Sequence, residues 1–353
     1  MPMKKLSLLS AVFLAAFSLC GKAHAQLLPP SPDAPPPASN APAQPVEDIP
    51  TPTLRINANL VDLYFTVKDK NNQLVPHLTK DDCSVAENKD PQTWKNFTAE
   101  NDLPLTLGIL LDTSGSQQRV LPLEQDAGSR FLEQVLRKKD EAFVLSFDVN
   151  VDLLQDFTNS TRMLSHALEK AEINTAGGNG TGIPGAGGGT IPIHGTPKGT
   201  LLYDAIYLAS REKLSQESGR KAMIILTDGD DQGSDHKISE AVEAAVRSNA
   251  LIYVILIADV QGYGNFGYSG YSAAKRLSDE SGGRLINVGH DGKKLEAAFQ
   301  QISDELRSQY VATYKPTNDK LDGTFRKIAI SCKGDDMKVQ VRKGYYAPRN
   351  EDQ

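Results

Sequence analysis

The sequence predicts an α/β protein, a doubly wound and mostly parallel sheet inserted in a small β-sandwich-like domain formed by the N- and C-terminal flanks. Three observations carry this. Between Leu105 and Leu306, short unbroken apolar runs alternate with stretches of helical period, the pattern of buried parallel strands joined by crossover helices. On either side, over 54–97 and 310–341, apolar residues alternate with polar ones, as in half-buried strands. Each flank holds too few strands to stand alone, so the simplest arrangement pairs the two.

The 353 residues are 39% hydrophobic and 23% charged, ordinary values for a folded chain. Lys plus Arg number 38 against 44 Asp plus Glu, a formal charge of −6 with no dense basic run, which argues against nucleic acid as a partner. Six His and three Cys are too few and too scattered for a multi-zinc protein.

In chain order, residues 1–25 read as a signal peptide. Lys4 and Lys5 are followed by the apolar run Leu6–Leu19 and the small-x-small site Ala23-His24-Ala25. The run is too short for a membrane span, and no later stretch is apolar enough for one, so export to the periplasm or medium is expected, with envelope association open. Residues 26–53 are a linker holding ten of the 20 prolines, too polar and too stiff to bury a core. Residues 54–100 form the N-terminal part of the β-domain, with strands over Leu60–Val67, Cys83–Ala86 and Thr93–Phe97. The α/β domain spans 104–308. Its strands are Leu105–Leu111, a pair over Ala142–Phe147 and Val151–Leu154, then Ala222–Thr227 and Leu251–Ala258. Its helices are Val120–Arg137, Ser160–Ala171, Leu201–Leu214, Ile238–Arg247, Ala273–Ser281 and Lys294–Leu306. Residues 309–348 complete the β-domain with strands over Tyr310–Tyr314, Phe325–Cys332 and Met337–Val341.

Ligands of a doubly wound sheet sit beyond the carboxyl ends of its strands. The first parallel strand ends in Asp112-Thr113-Ser114-Gly115-Ser116, and the strand over Ala222–Thr227 runs into Asp228-Gly229. Gly199-Thr200 opens the helix between them. Carboxylates and hydroxyls from three loops, with no His or Cys, suit Mg²⁺, Mn²⁺ or Ca²⁺ better than zinc.

The set Asp112-x-Ser114-x-Ser116, Thr200 and Asp228 resembles the metal-ion-dependent adhesion site of von Willebrand factor type A (VWFA) domains, all five positions in family order. The flanking Leu74-Val75-x-x-Leu78-Thr79-x-Asp81-Asp82 and Arg342-Lys343-Gly344-Tyr345-Tyr346-Ala347 look like the secreted VWFA-related family typical of acidobacterial genomes. The resemblance implies direct metal bonds from Ser114, Ser116 and Thr200, with Asp112 and Asp228 acting partly through water. It also implies an open position for an acidic side chain of a protein partner.

Other motifs fail on spacing. Ser114 stands where an aspartyl phosphotransferase would carry a second Asp, and Lys198-Gly199-Thr200 lacks the glycine that precedes the lysine of a P-loop. Ser239 occupies the twelfth position of an EF-hand begun at Asp228. Ser114 has no G-x-S-x-G context. The expectation is therefore a binding module and not an enzyme. The alternatives are a metal-assisted hydrolase, for which Asp230, Asp231 and Asp235 are the only nearby bases, and a structural envelope protein with a vestigial site.

Two loops on the same edge are unusual. Residues 177–199 hold ten of the 28 glycines, which fits either a recognition loop or an inert insertion. The stretch 261–271 carries Tyr263, Phe266, Tyr268 and Tyr271 among glycines, a composition suited to partner binding. Finally, loss of Cys20 with the leader leaves Cys83 and Cys332, both alternating with core positions of their strands. In the VWFA-related pattern both positions are normally apolar, which suggests a matched disulfide. Two separately buried thiols remain the alternative.

Overall fold

Alternating burial builds the flanks. In β1 (Val61–Lys68) the side chains of Val61, Leu63, Phe65 and Val67 are buried while Asp62 faces outward. The turn after it is closed by the Asp69 carboxylate, which accepts from the backbone N–H of Asn71 and Gln73. Three more strands follow, β2 (Cys83–Glu87), β3 (Asp90–Gln92) and β4 (Trp94–Ala99). The computed structural model describes residues 60–99, 103–173, 199–258, 269–334 and 336–349. The leader, the linker, the stretch 174–198, and Tyr263, Phe266 and Tyr268 lie outside the described residues.

The period changes at β5 (Leu105–Asp112), whose eight residues are all buried. After it come α1 (Leu121–Val135), β6 (Glu141–Phe147), β7 (Val151–Thr158), α2 (Thr161–Glu169), α3 (Leu202–Leu208) and β8 (Arg220–Thr227). The α/β part is completed by α4 (Ile238–Arg247), β9 (Ala250–Leu256), α5 (Ser269–Ser281), β10 (Leu285–Asn287) and α6 (Gly292–Arg307). The six strands run in the order β10-β9-β8-β5-β6-β7, parallel except for the antiparallel edge strand β7.

Both faces of this sheet are covered, so its central strands carry unbroken apolar runs, Leu107–Leu111 in β5 and Ala222–Leu226 in β8, and not merely alternating ones. Leu107, Ile109 and Leu111 of β5 pack beneath α1, α2 and α6. Leu110, with Met223 and Ile225 of β8, packs against α3, α4 and α5. Gly108 lies under the Phe143 ring, where a Cβ would sit 2.6 Å from ring carbon Cζ.

The chain then returns to antiparallel strands, β11 (Tyr310–Tyr314), β12 (Phe325–Cys332), β13 (Lys338–Gln340) and β14 (Gly344–Tyr346). They interleave with the N-terminal flank in two four-stranded sheets, β13-β1-β11-β4 and β14-β12-β2-β3. One core joins the sheets, with Phe65, Tyr310 and Tyr314 from the first meeting Val85, Ile328 and Ile330 from the second. Cys83 and Cys332 are register partners on β2 and β12 and are joined by a disulfide across a sequence separation of 249.

Some elements differ from the sequence reading. The helix expected over Leu201–Leu214 is α-helical only to Leu208 and continues as a π-helical turn over Ala209–Lys213. β7 extends to Thr158, and helix α5 begins at Ser269, before its apolar period starts. Tyr271 therefore stands in the first turn of a helix and not on a loop. The short edge strand β10 was not evident from composition.

Candidate metal centre

The register of the central strands assembles the site. Leu111 of β5 pairs with Leu226 of β8, so Asp112 and Thr227 end adjacent strands side by side. The Thr227 hydroxyl donates to Asp112 Oδ2 at 2.6 Å and itself accepts from the Gly229 N–H at 3.0 Å. The other Asp112 oxygen accepts from the Ser114 N–H at 3.0 Å, a local turn that starts the short 3₁₀ segment Gly115–Gln117. The hydroxyls of Ser114 and Ser116 stand 3.0 Å apart. Asp228 follows Thr227 on the same edge, and its carboxylate accepts from the Asp230 N–H.

Thr200 is placed by backbone contacts. Its carbonyl accepts from the Gln232 N–H at 2.8 Å, while the Leu201 N–H reaches the Asp148 carbonyl at 2.8 Å. Asp148 in turn accepts from the Thr113 hydroxyl, tying Thr200's neighbour to the Asp112 loop. Gly199 is required at this crossing, since a Cβ there would meet Gln232 at 2.9 Å. The Thr200 hydroxyl makes no hydrogen bond to the other four residues. Gly229 has φ of +86°, and a Cβ on it would come within 2.5 Å of the Gly270 carbonyl, so the loop after Asp228 sits directly on the start of α5.

The electrostatics of this edge are one-sided. Asp112 is wholly buried, and burial together with the Asp228 charge pushes its carboxyl up to about 7, against the hydrogen bonds from Ser114 and Thr227. Glu124 on α1 is also wholly buried, and burial followed by the charges of Asp112 and Asp228 pushes it well above the ordinary glutamate range. Neither Glu124 oxygen has a hydrogen-bond partner, nor does the side-chain oxygen of buried Gln117, next to Ser116. Among the described residues, no Lys, Arg or His pairs with Asp112, Asp228 or Glu124.

An acceptor-rich edge with orphaned buried oxygens and no counter-charge fits a divalent cation. Among the described residues, no group of three or more His, Cys, Asp or Glu side chains is arranged to hold a metal. A cation here would depend on hydroxyls and water beside the carboxylates, as Mg²⁺ tolerates. Sequence reasoning missed Thr227 and Glu124. The first could have been found as the hydroxyl preceding Asp228, the second as a carboxylate on the apolar face of α1.

The remaining acids of the loop are occupied. Asp231 accepts from the Tyr203 N–H at 3.0 Å and the Ser234 hydroxyl at 2.6 Å, and Asp230 accepts from the Ser269 hydroxyl at 3.0 Å. Tyr271 is 38% exposed. His236 stacks on Tyr207 with ring centroids 3.7 Å apart and meets Asp204 at 2.7 Å.

No family model matches the chain, and no curated protein does. Among solved structures, the chain is similar to the conserved hypothetical protein BatB from Bacteroides thetaiotaomicron at 18% identity and TM-score 0.42, over 57% of this chain and 98% of that one. It is also similar to proximal thread matrix protein 1 from the mussel byssus, in a structure described as having a zinc-occupied MIDAS motif. There the identity is 14% and the TM-score 0.45, over 62% of this chain and 49% of that one. The PilB minor pilin from Streptococcus sanguinis matches at 12% identity and TM-score 0.42, over 58% of this chain and 62% of that one.

Proposed function

We propose that the protein is an exported module that binds a partner protein through a divalent cation, Mg²⁺ or else Mn²⁺ or Ca²⁺, completed by an acidic side chain of that partner. The observation that carries the reading is the buried Asp112 carboxyl beside Asp228 and Glu124, a concentration of acceptors that no cation among the described residues balances. When bound, the metal would supply a Lewis-acidic position for the incoming carboxylate. Ser114, Ser116 and Thr200 would hold it directly. Asp112 and Asp228 would orient its waters, and Thr227 fixes the Asp112 carboxyl for that task.

Binding is favoured over hydrolysis because Asp230 and Asp231, two of the three acids the sequence offers as bases, already accept hydrogen bonds from neighbouring residues. In this reading the α/β part is a domain inserted in a β-domain made from both flanks. Tyr263, Phe266, Tyr268 and Tyr271 would contact the partner around the cation. Export rests on the leader-like residues 1–25, and no helix among the described residues is long and apolar enough to cross a membrane.

Calorimetric titration with Mg²⁺ and Mn²⁺ tests the site. The expected result is saturable binding that Asp112→Ala removes, together with capture of an aspartate-containing peptide in Mg²⁺ and its release by EDTA. Identical titrations for the two proteins would overturn the assignment.

A further inference from the structure

The C-terminal motif Arg342-Lys343-Gly344-Tyr345-Tyr346 plays no part in the metal centre. Arg342, Tyr345 and Tyr346 instead line a cleft of about 640 Å³. Its other walls are the start of β1, the end of α4 and the turn over 315–321. The end of α4 leads into the amino end of β9, so the cleft lies at the sheet edge opposite Asp112.

The cleft is positive in an acidic chain. Arg247, Lys315, Lys320, Arg326 and Arg342 line it against only Asp62 and Asp319. Arg342 is buried, yet its hydrogen bonds go only to uncharged oxygens, the carbonyls of Val246 and Asp62 and the side chain of Asn249. The carbonyl end of α4 offsets part of that charge, but no carboxylate pairs with it. Arg326 is buried with two carboxylates at long range, Glu87 at 3.5 Å, which two tyrosine hydroxyls already share, and Asp322 at 4.0 Å. The Nε–H groups of both arginines have no acceptor. A buried guanidinium without a carboxylate is costly to keep. Here Arg342 has no carboxylate partner, and with Arg326 it lines the cleft beside the apolar surfaces of Leu60 and Tyr346.

We propose that this cleft binds an oxyanion head, carboxylate or phosphate, carried on a small apolar body. Arg326 and Arg342 supply the charge at the cleft wall, and the exposed Lys315 and Lys320 draw the anion to the mouth.

The test titrates hexanoate and, separately, inorganic phosphate into the whole protein at constant ionic strength without divalent metal. The arginine Nε–H resonances report the binding. Saturable shifts of Arg326 and Arg342 are expected. Tighter binding of hexanoate identifies a carboxylate ligand, and tighter binding of phosphate a phosphorylated one. Arg342→Met is expected to weaken binding at least tenfold. Because that variant could misfold, the exposed pair Lys315→Glu/Lys320→Glu is measured beside it and is expected to weaken binding by a similar factor. Asp112→Ala, which disables the metal centre, is expected to leave the titration unchanged. Shifts that never saturate, affinities equal in the wild type and the lysine pair, or loss of binding in Asp112→Ala would each overturn the proposal.

Discussion

At the scale of single residues, the metal edge turns on how Asp112 is held. Thr227→Val removes a 2.6 Å hydrogen bond to a buried carboxyl and strips the Gly229 N–H of its acceptor. A loss of about 1–3 kcal/mol is expected in denaturant unfolding, with weaker metal binding. Thr227→Ser is expected to restore both. The pH dependence follows from the Asp112 carboxyl lying at about 7 in the fold and near 4 in an unfolded chain. Between those values the native state holds more protons than the unfolded one. Without metal, stability is therefore expected to fall as pH rises from about 4 to about 7. Asp112→Asn should reduce that slope, and saturating Mg²⁺ should abolish it, because the cation favours the ionised form. Melting curves across that window check all three. Glu124, raised by burial in the same field, is expected to tolerate Glu124→Gln in the metal-free protein with little change in melting temperature. A large loss would mean that the carboxyl is ionised.

At the scale of elements, the glycine after Asp228 joins two of them. Gly229→Ala would force a side chain into a left-handed conformation and into the Gly270 carbonyl. Destabilisation of about 1–3 kcal/mol is expected, with a shift of Asp228 that weakens metal binding. Equal unfolding and metal titrations for the two proteins would show that α5 can move aside. The same scale shows what sequence pattern can convey. β5 and β8 were legible because two covered faces leave the runs Leu107–Leu111 and Ala222–Leu226 unbroken by a polar residue before the strands reach Asp112 and Thr227. α4 was legible from Ile238 to Arg247 because one apolar face repeats without interruption. The π-helical turn at Ala209–Lys213 was not, since a change of hydrogen-bond partner leaves the composition untouched. In α5 the Ser269 hydroxyl reaches Asp230, 39 residues back in the chain, a contact no local signal encodes. Of the candidate metal edge, Asp112, Ser114, Ser116, Thr200 and Asp228 were readable in the sequence as a set in order. Thr227 and Glu124 gain their roles only when β8 and α1 are folded beside β5.

At the scale of the whole molecule, the flanks interleave so fully that neither half of the β-sheet pair is built from one end of the chain. β1 pairs with β11 and β13, and β2 pairs with β12. Arg220 secures the α/β part to this base, donating to the Leu103 and Leu306 carbonyls, which lie on the chain leading in and out. The disulfide closes a loop of 249 residues, for which chain entropy sets an upper stabilisation of about 5 kcal/mol. The double variant Cys83→Ser/Cys332→Ser is expected to lose part or all of that in denaturant titration and to become insensitive to reductant. Two free thiols in the denatured, unreduced wild type would show that no bond forms.

That bond also decides how tension would travel. A pull on the two ends of the chain runs to Cys83, crosses the sulfurs, and leaves from Cys332, so the residues between them lie off the path of the force. Stretched in a single-molecule trap, the oxidised protein is expected to yield only the short outer segments. After reduction the enclosed chain, 249 residue steps from Cys83 to Cys332, should add a further extension of about 85 nm at roughly 3.4 Å each. Held at one end and pulled at the other, the chain is expected to keep the edge that carries Asp112 and Asp228 folded until a reductant, and not a mechanical strain, releases it.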